Sequence, residues 1–234
     1  MVNPVLVALD TPDLAWARRL AQDLVGVVGG FKVGLEMIMA NGPSVIAEIA
    51  SLGSPVFADV KLHDIPNTVE KAASQLGRHG ARWLTVHGSG GSDMISAAVT
   101  GLEQGGAETT GVWVVTVLTS LDQADLAEIG FGRPLEEQVA EMAGLAEGRG
   151  AEGVVCSPQE ATIVKGVTPD LLAVTPGVRL TEGDTHDQKR VTTPIRAMEA
   201  GADLLVVGRA ITANPDPVQA AKRVVDSLRP TGRL

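Results

Sequence analysis

The chain has 234 residues, a formal net charge of −9, 44% hydrophobic and 20% charged residues, the balance of a folded globule rather than a disordered segment. The acidic sum argues against nonspecific binding to nucleic acid or an anionic membrane, and an aromatic content of 3% with no tyrosine disfavours a base-stacking platform. The single cysteine, Cys156, excludes an internal disulfide framework and suits a reducing, cytoplasmic setting.

Along the chain, short β-branched runs alternate with longer helix-patterned segments. The first run is VLVAL (5–9), followed by DLAWARRLAQDLVG, whose apolar residues recur at three- and four-residue spacing, as on an amphipathic helix. GFKVG (30–34), PVFADVK (55–61) and WLTVHG (83–88) come next, separated by SVIAEIASLG and TVEKAASQLGRHGA. GVWVVTVL (111–118), GVVCS (153–157), LLAVTPG (171–177) and LLVVGRA (204–210) complete eight strand candidates, with PLEEQVAEMAGLAEGRG and TPIRAMEAGAD among the intervening helices. Several helical segments end in Gly, a common C-terminal signal. No apolar run approaches the roughly 18–20 residues of a membrane span. MVNPVLVALD lacks the basic start of a signal peptide. No Ser/Gly- or Pro-rich linker divides the chain, which predicts a single domain over 1–234.

Eight strand–helix units in this length predict a (β/α)8 TIM barrel, a parallel eight-stranded barrel with outer helices, close to the usual ~250 residues. Continuously apolar strands suit parallel pairing with both faces covered. A doubly wound open sheet is the rival, but VLVALDTPD lacks the glycine fingerprint of a dinucleotide-binding first strand.

Active sites of such barrels lie at the C-terminal ends of the strands. There Asp10 ends strand one, Lys32 sits in strand two, Asp59 and Lys61 end strand three, and His87 ends strand four. Thr119 and Ser120 follow strand five, Arg179 follows strand seven, and Gly208 and Arg209 end strand eight. Residues two apart on a strand share a face. Phe57, Asp59 and Lys61 are therefore expected to point into the barrel, and Val60 and Leu62 towards the helices. An Asp-x-Lys pair could be a solvated ion pair at a strand end. Lys32 adds a second interior-facing cation, so Lys32, Asp59, Lys61 and Asp64 read instead as an alternating charged array and as the catalytic set. Pro66 suits the first position of a helix, which leaves Asp64 on the preceding loop, able to reach a neighbouring subunit. Two carboxylates nearby favour the ammonium form of Lys61, whereas a Schiff-base lysine needs the neutral amine.

TPGVR and VVGRA end strands seven and eight, whose loops often bind phosphate. Gly177 and Gly208 would allow close backbone approach and Arg209 would supply a fork of donors, although the same glycines could serve ordinary turns. The polar segment 180–190 reads as a lid or a plain solvated loop. A metal site from His63, His87, Asp59 and Asp64 has no supporting spacing signature, and Cys156 reads as an inert core thiol.

DVKLHDIPNT (59–68) resembles the signature of the orotidine 5′-phosphate decarboxylase family. The likeness continues through VALD (7–10), FKVG (31–34), LTVHGSGG (84–91), VTVLTS (115–120), TPGVR (175–179), DQKR (187–190) and ADLLVVGRAI (202–211), nearly the whole chain. It implies a barrel without metal or cofactor that converts orotidine 5′-phosphate to UMP as a homodimer, with sites near the subunit interface. By that resemblance Asp10 and Lys32 hold the ribose hydroxyls, Lys61 donates the proton and Asp59 lies beside the substrate carboxylate. Asp64 and Thr68 come from the partner subunit. Leu62, His63, Ile65, Pro66 and Asn67 complete the binding stretch, with no catalytic role for His63. Thr119 matches a substrate-binding position and Ser120 a pyrimidine contact. Arg179, Gln188, Gly208 and Arg209 match the phosphate side. Two other readings remain: a metal-dependent lyase on a sugar phosphate, which would share the Asp-x-Lys motif, and a catalytically silent nucleotide-binding barrel.

Overall fold

The computed structural model describes residues 3–106, 111–179 and 192–229. Its strands are β1 (Val5–Ala8), β2 (Gly30–Gly34), β3 (Val56–Leu62), β4 (Ala81–His87), β5 (Val112–Val115), β6 (Gly153–Val155), β7 (Leu172–Thr175) and β8 (Leu204–Val207). They pair in sequence order, all parallel, and β8 closes on β1. This is the (β/α)8 barrel predicted above, and the open sheet is excluded.

Strand alternation divides the core into two layers. Val5, Val7, Phe31, Val33, Val56, Ala58, Leu84, Val86, Val112, Val114 and Val207 face outward and are buried beneath the helices. Leu6, Ala8, Phe57, Trp83, Trp113, Val174 and Val206 fill the barrel interior. Within it Trp113 stacks on Trp83 at 4.9 Å between ring centroids and tilts against Phe57 at 4.5 Å. These aromatics plug the barrel beneath its C-terminal mouth, so the mouth has a packed floor. No helix among the described residues is long and apolar enough to cross a membrane.

Several strand ends differ from the sequence pattern for local reasons. β5 stops at Val115, and both the amide and the hydroxyl of Thr116 donate to the carbonyl of Val155 just beyond it. Val117, Leu118 and Thr119 then line the barrel mouth. β8 ends at Val207; Gly208 caps a short helix, Arg209–Thr212, so Gly208 and Arg209 are not strand residues as expected. β6 ends at Val155, which leaves Cys156 just beyond it. Pro66 opens the helix Pro66–Arg78 with Ile65 as its N-cap, in line with the proline's fixed φ and missing N–H.

Candidate active site

The mouth of the barrel holds a cavity of about 510 Å³. Asp10, Lys32, Asp59 and Lys61 line one side of it, Val115, Val117, Leu118, Thr119 and Val155 another, and Pro176, Gly177, Arg179, Gly208 and Arg209 the end formed by β7 and β8. Each group arrives from the C-terminal end of a different part of the barrel, which is why residues far apart in sequence converge.

The charges form a continuous row. Lys32 Nζ lies 2.7 Å from Asp10 Oδ1 and 3.3 Å from Asp59 Oδ2, and Lys61 Nζ lies 2.7 Å from Asp59 Oδ1. Asp59 thus sits between two ammonium groups. Burial alone would push the pKa of Lys32 down and that of Asp59 up. For Lys32, the attraction of Asp59 and then Asp10, with hydrogen bonds to both, outweighs this and raises its pKa. For Asp59, the attraction of Lys32 and then Lys61, with hydrogen bonds from Lys61 and Thr85, lowers its carboxyl below the ordinary value. Both groups are therefore held charged in a largely buried wall. Gly34 makes room for the row: a Cβ there would lie 2.7 Å from Asp10 Oδ1 and 2.9 Å from Lys32 Nζ.

Asp59 and Lys61 do share the cavity, but strand alternation is only half the reason. Among the described residues Lys61 is the one non-glycine with positive φ, at 48°. Such a backbone costs an L-residue on the order of 1–2 kcal/mol. The β3–β4 pairing shifts at the same place, from Ala58 opposite Leu84 to Leu62 opposite Val86, so β3 carries extra residues in a bulge. The Lys61 amide, out of the ladder, donates to Thr85 Oγ1 at 2.9 Å, and that hydroxyl donates to Asp59 Oδ1 at 3.0 Å. Val60 and Leu62 pack outward against the helical layer as alternation requires.

The remaining expectations divide clearly. Thr119, Arg179, Gly208 and Arg209 line the cavity, and Gly177 does so with φ at 81°, a conformation that favours glycine. Leu62, counted with the binding stretch, packs against the outer core instead. His63, Asp64, Ile65, Pro66, Asn67 and Thr68 are exposed and do not line the cavity of a single chain. Asp64 bends back to accept from the Ile65 amide at 2.6 Å. Within one chain the array is therefore Asp10–Lys32–Asp59–Lys61, and the expected fourth member, Asp64, stands apart. Ser120 is exposed, outside the lining. Gln188 and the segment 180–190 lie outside the described residues. His87 is half-buried beside His63, with 5.4 Å between ring centroids, and burial, His63 and Lys61 together lower its pKa. Among the described residues no group of three or more His, Cys, Asp or Glu is arranged to hold a metal ion. Cys156 is fully buried and free, and its burial pushes the thiol pKa far up.

Sequence reasoning missed Thr85, Gly34, Glu36 and the apolar wall of Val115, Val117 and Val155. Thr85 lies inside the LTVHGSGG run. A lone hydroxyl at an inward position, level with the Asp-x-Lys pair on the neighbouring strand, was the available signal.

Comparison with known proteins places the chain in a family. The model of the orotidine 5′-phosphate decarboxylase / HUMPS family matches residues 3–224. An orotidine 5′-phosphate decarboxylase from Paramagnetospirillum magneticum is 49% identical over 233 residues, covering 97% of this chain and 99% of that protein. One from Thermobifida fusca is 45% identical over 234 residues, covering 99% of this chain and 98% of that protein. The crystal structure of orotidine 5′-phosphate decarboxylase from Lactobacillus acidophilus superposes with a TM-score of 0.84 at 37% identity, over 96% of this chain and 98% of that one. With a matching family model over almost its whole length and relatives of this identity, the chain belongs to the orotidine 5′-phosphate decarboxylase / HUMPS family.

Proposed function

We propose that the protein decarboxylates orotidine 5′-phosphate to UMP and CO2, the final step of UMP synthesis, in the cytoplasm. The observation that carries this reading is the row Asp10–Lys32–Asp59–Lys61, which ends at an ammonium group lining a cavity large enough for a nucleotide.

The C6–carboxylate bond of the pyrimidine breaks with its electron pair left on C6, in an orbital the ring cannot delocalise. The ammonium of Lys61 stabilises that pair and donates a proton to C6, and the lysine regains a proton from solvent. Asp59, kept ionised by its two lysines, lies beside the substrate carboxylate and orients Lys61. Repulsion between two carboxylates about 4 Å apart is worth only ~4 kcal/mol at an effective dielectric constant of about 20. Enzymatic accelerations require up to ~23 kcal/mol. Stabilisation of developing charge by a preorganised cation therefore carries more of the barrier than repulsion does. Asp10 and Lys32 hold the ribose hydroxyls. Arg179, Gly208 and Arg209 bind the phosphate, whose binding energy is available to exclude water over the pyrimidine. Gln188 joins the phosphate side, Thr119 contacts substrate and Ser120 the pyrimidine.

The exposed stretch from His63 to Thr68 supports a homodimer in which Asp64 and Thr68 complete the partner's site. Ile65, 66% exposed between them, is the apolar residue such a contact would cover. The sugar-phosphate lyase of the wider family is the competing reaction, and it requires a metal.

The test follows the loss of substrate absorbance by purified protein in excess chelator. Turnover should persist there, and Lys61→Ala should abolish it nearly completely while phosphate-dependent binding of UMP remains. Absence of orotidine 5′-phosphate turnover, or full activity in the Lys61 variant, would overturn the proposal.

A further inference from the structure

We infer that Thr85 is a positioning residue for this reaction, its hydroxyl joining the Asp59 carboxylate to the Lys61 backbone and thereby setting where the ammonium stands. This rests on the function proposed above and concerns a residue that contacts no reacting atom in that scheme.

The direction of each hydrogen bond follows from chemistry. A backbone amide can only donate, so Thr85 Oγ1 accepts from the Lys61 N–H at 2.9 Å. An ionised carboxylate can only accept, so the same hydroxyl must spend its one proton on Asp59 Oδ1, at 3.0 Å. Asp59 Oδ1 is also the oxygen that takes Lys61 Nζ, at 2.7 Å. A closed loop results, running from the lysine amide through hydroxyl and carboxylate to the lysine ammonium. Thr85 is itself fully buried in β4, and its β-branched side chain has few rotamers available on a strand. The loop spans the site where β3 leaves its register with β4 and where Lys61 takes a positive φ. Without the hydroxyl the Lys61 amide would lose this acceptor, and Asp59 would keep its lysines but lose the donation from Thr85.

The groups facing Asp59 are Lys32 from β2, Lys61 from β3, and Thr85 and His87 from β4, with Asp10 beyond Lys32. Thr85→Val retains the shape and removes the hydroxyl. It should lower kcat roughly 10- to 100-fold, the scale of a misplaced catalytic group, with KM changed less than about 3-fold. Thr85→Ser, which keeps the hydroxyl, should restore kcat to within about 5-fold of the parent. The Lys61 amide, followed by hydrogen exchange, should exchange faster in Thr85→Val than in either hydroxyl-bearing protein. Thr85→Ala makes the same comparison if Val is not accommodated.

Unchanged kcat in both hydroxyl-free variants would overturn the inference, as would a Ser variant as slow as they are. If the functional reading itself is wrong, the parent protein shows no orotidine 5′-phosphate turnover, so the two failures are distinguishable.

Discussion

Replacing Asp59 by Asn removes one negative charge from between two cations while nearly preserving shape. The attraction of Asp59 for Lys32, at 3.3 Å, is about 5 kcal/mol at an effective dielectric constant of about 20. For Lys61, at 2.7 Å, it is about 6 kcal/mol on the same basis. Much of the second value is screened, since the Lys61 side chain is 32% exposed. The Lys32 side chain is only 10% exposed, but it keeps Asp10 as a partner. Against these gains stands a desolvation cost of several kcal/mol for burying the carboxylate. The lowered pKa of Asp59 and the raised pKa of Lys32 both indicate that attraction exceeds this cost.

Asp59→Asn should therefore lose about 1–3 kcal/mol of stability at neutral pH, below the ~3–5 kcal/mol of a fully orphaned buried pair. The sign with pH is fixed by linkage. A carboxylate whose folded pKa lies below its unfolded value of 3.8 stabilises the fold above that value and loses the contribution as pH falls through the folded pKa. The gap between parent and variant in urea unfolding should thus be widest near pH 7 and narrow progressively below about pH 4. A variant as stable as the parent at pH 7, or a gap independent of pH, would refute the reasoning. Turnover should fall at least ~100-fold in the same variant, because Lys61 loses the carboxylate that orients it.

Gly34→Ala places a methyl against Asp10 Oδ1 and Lys32 Nζ. Those are side-chain ends that can swing aside, and the glycine's own φ of −97° suits alanine, so the melting temperature should change little. The displaced ion pair should raise KM about 10-fold or more, and steady-state kinetics with an unchanged KM would count against the ribose-side assignment. For the proposed dimer, co-refolding Lys61→Ala with Asp64→Asn would give mixed dimers in which one site has both residues intact. Activity should recover to about a quarter of the parent value if Asp64 acts across a two-fold interface, whereas a role within its own chain predicts no recovery.

Phe57 and Lys61 show what could be read before folding and what could not. The inward face of β3 followed from the two-residue period, and Phe57 obeys it, as do Val60 and Leu62 on the outer face. Lys61 keeps the inward side that the period assigns it, but the bulge and positive φ that set its exact place there are announced by no periodicity. Asp10 was legible as a polar strand-end residue and Lys32 as an inward cation within the second strand. Their bond, and the glycine that makes space for it, depend on three chain segments meeting. At β8 the candidate LLVVGRA ran past the last ladder residue, Val207, because sequence pattern does not distinguish a strand end from the first turn of the helix that follows.

The amino-acid sequence alone determined the eight-fold alternation, the buried parallel strands and the placing of Asp, Lys and Arg at strand ends, because each depends on local periodicity and composition. The tertiary structure alone decided that Asp59 bridges Lys32 and Lys61, that Thr85 ties Asp59 to the Lys61 amide, and that Asp64 stands outside the row of its own chain. Those are relations across neighbouring strands, set by register and by a bulge. The energy that selects them comes from pairing buried charges that the sequence lists only one at a time.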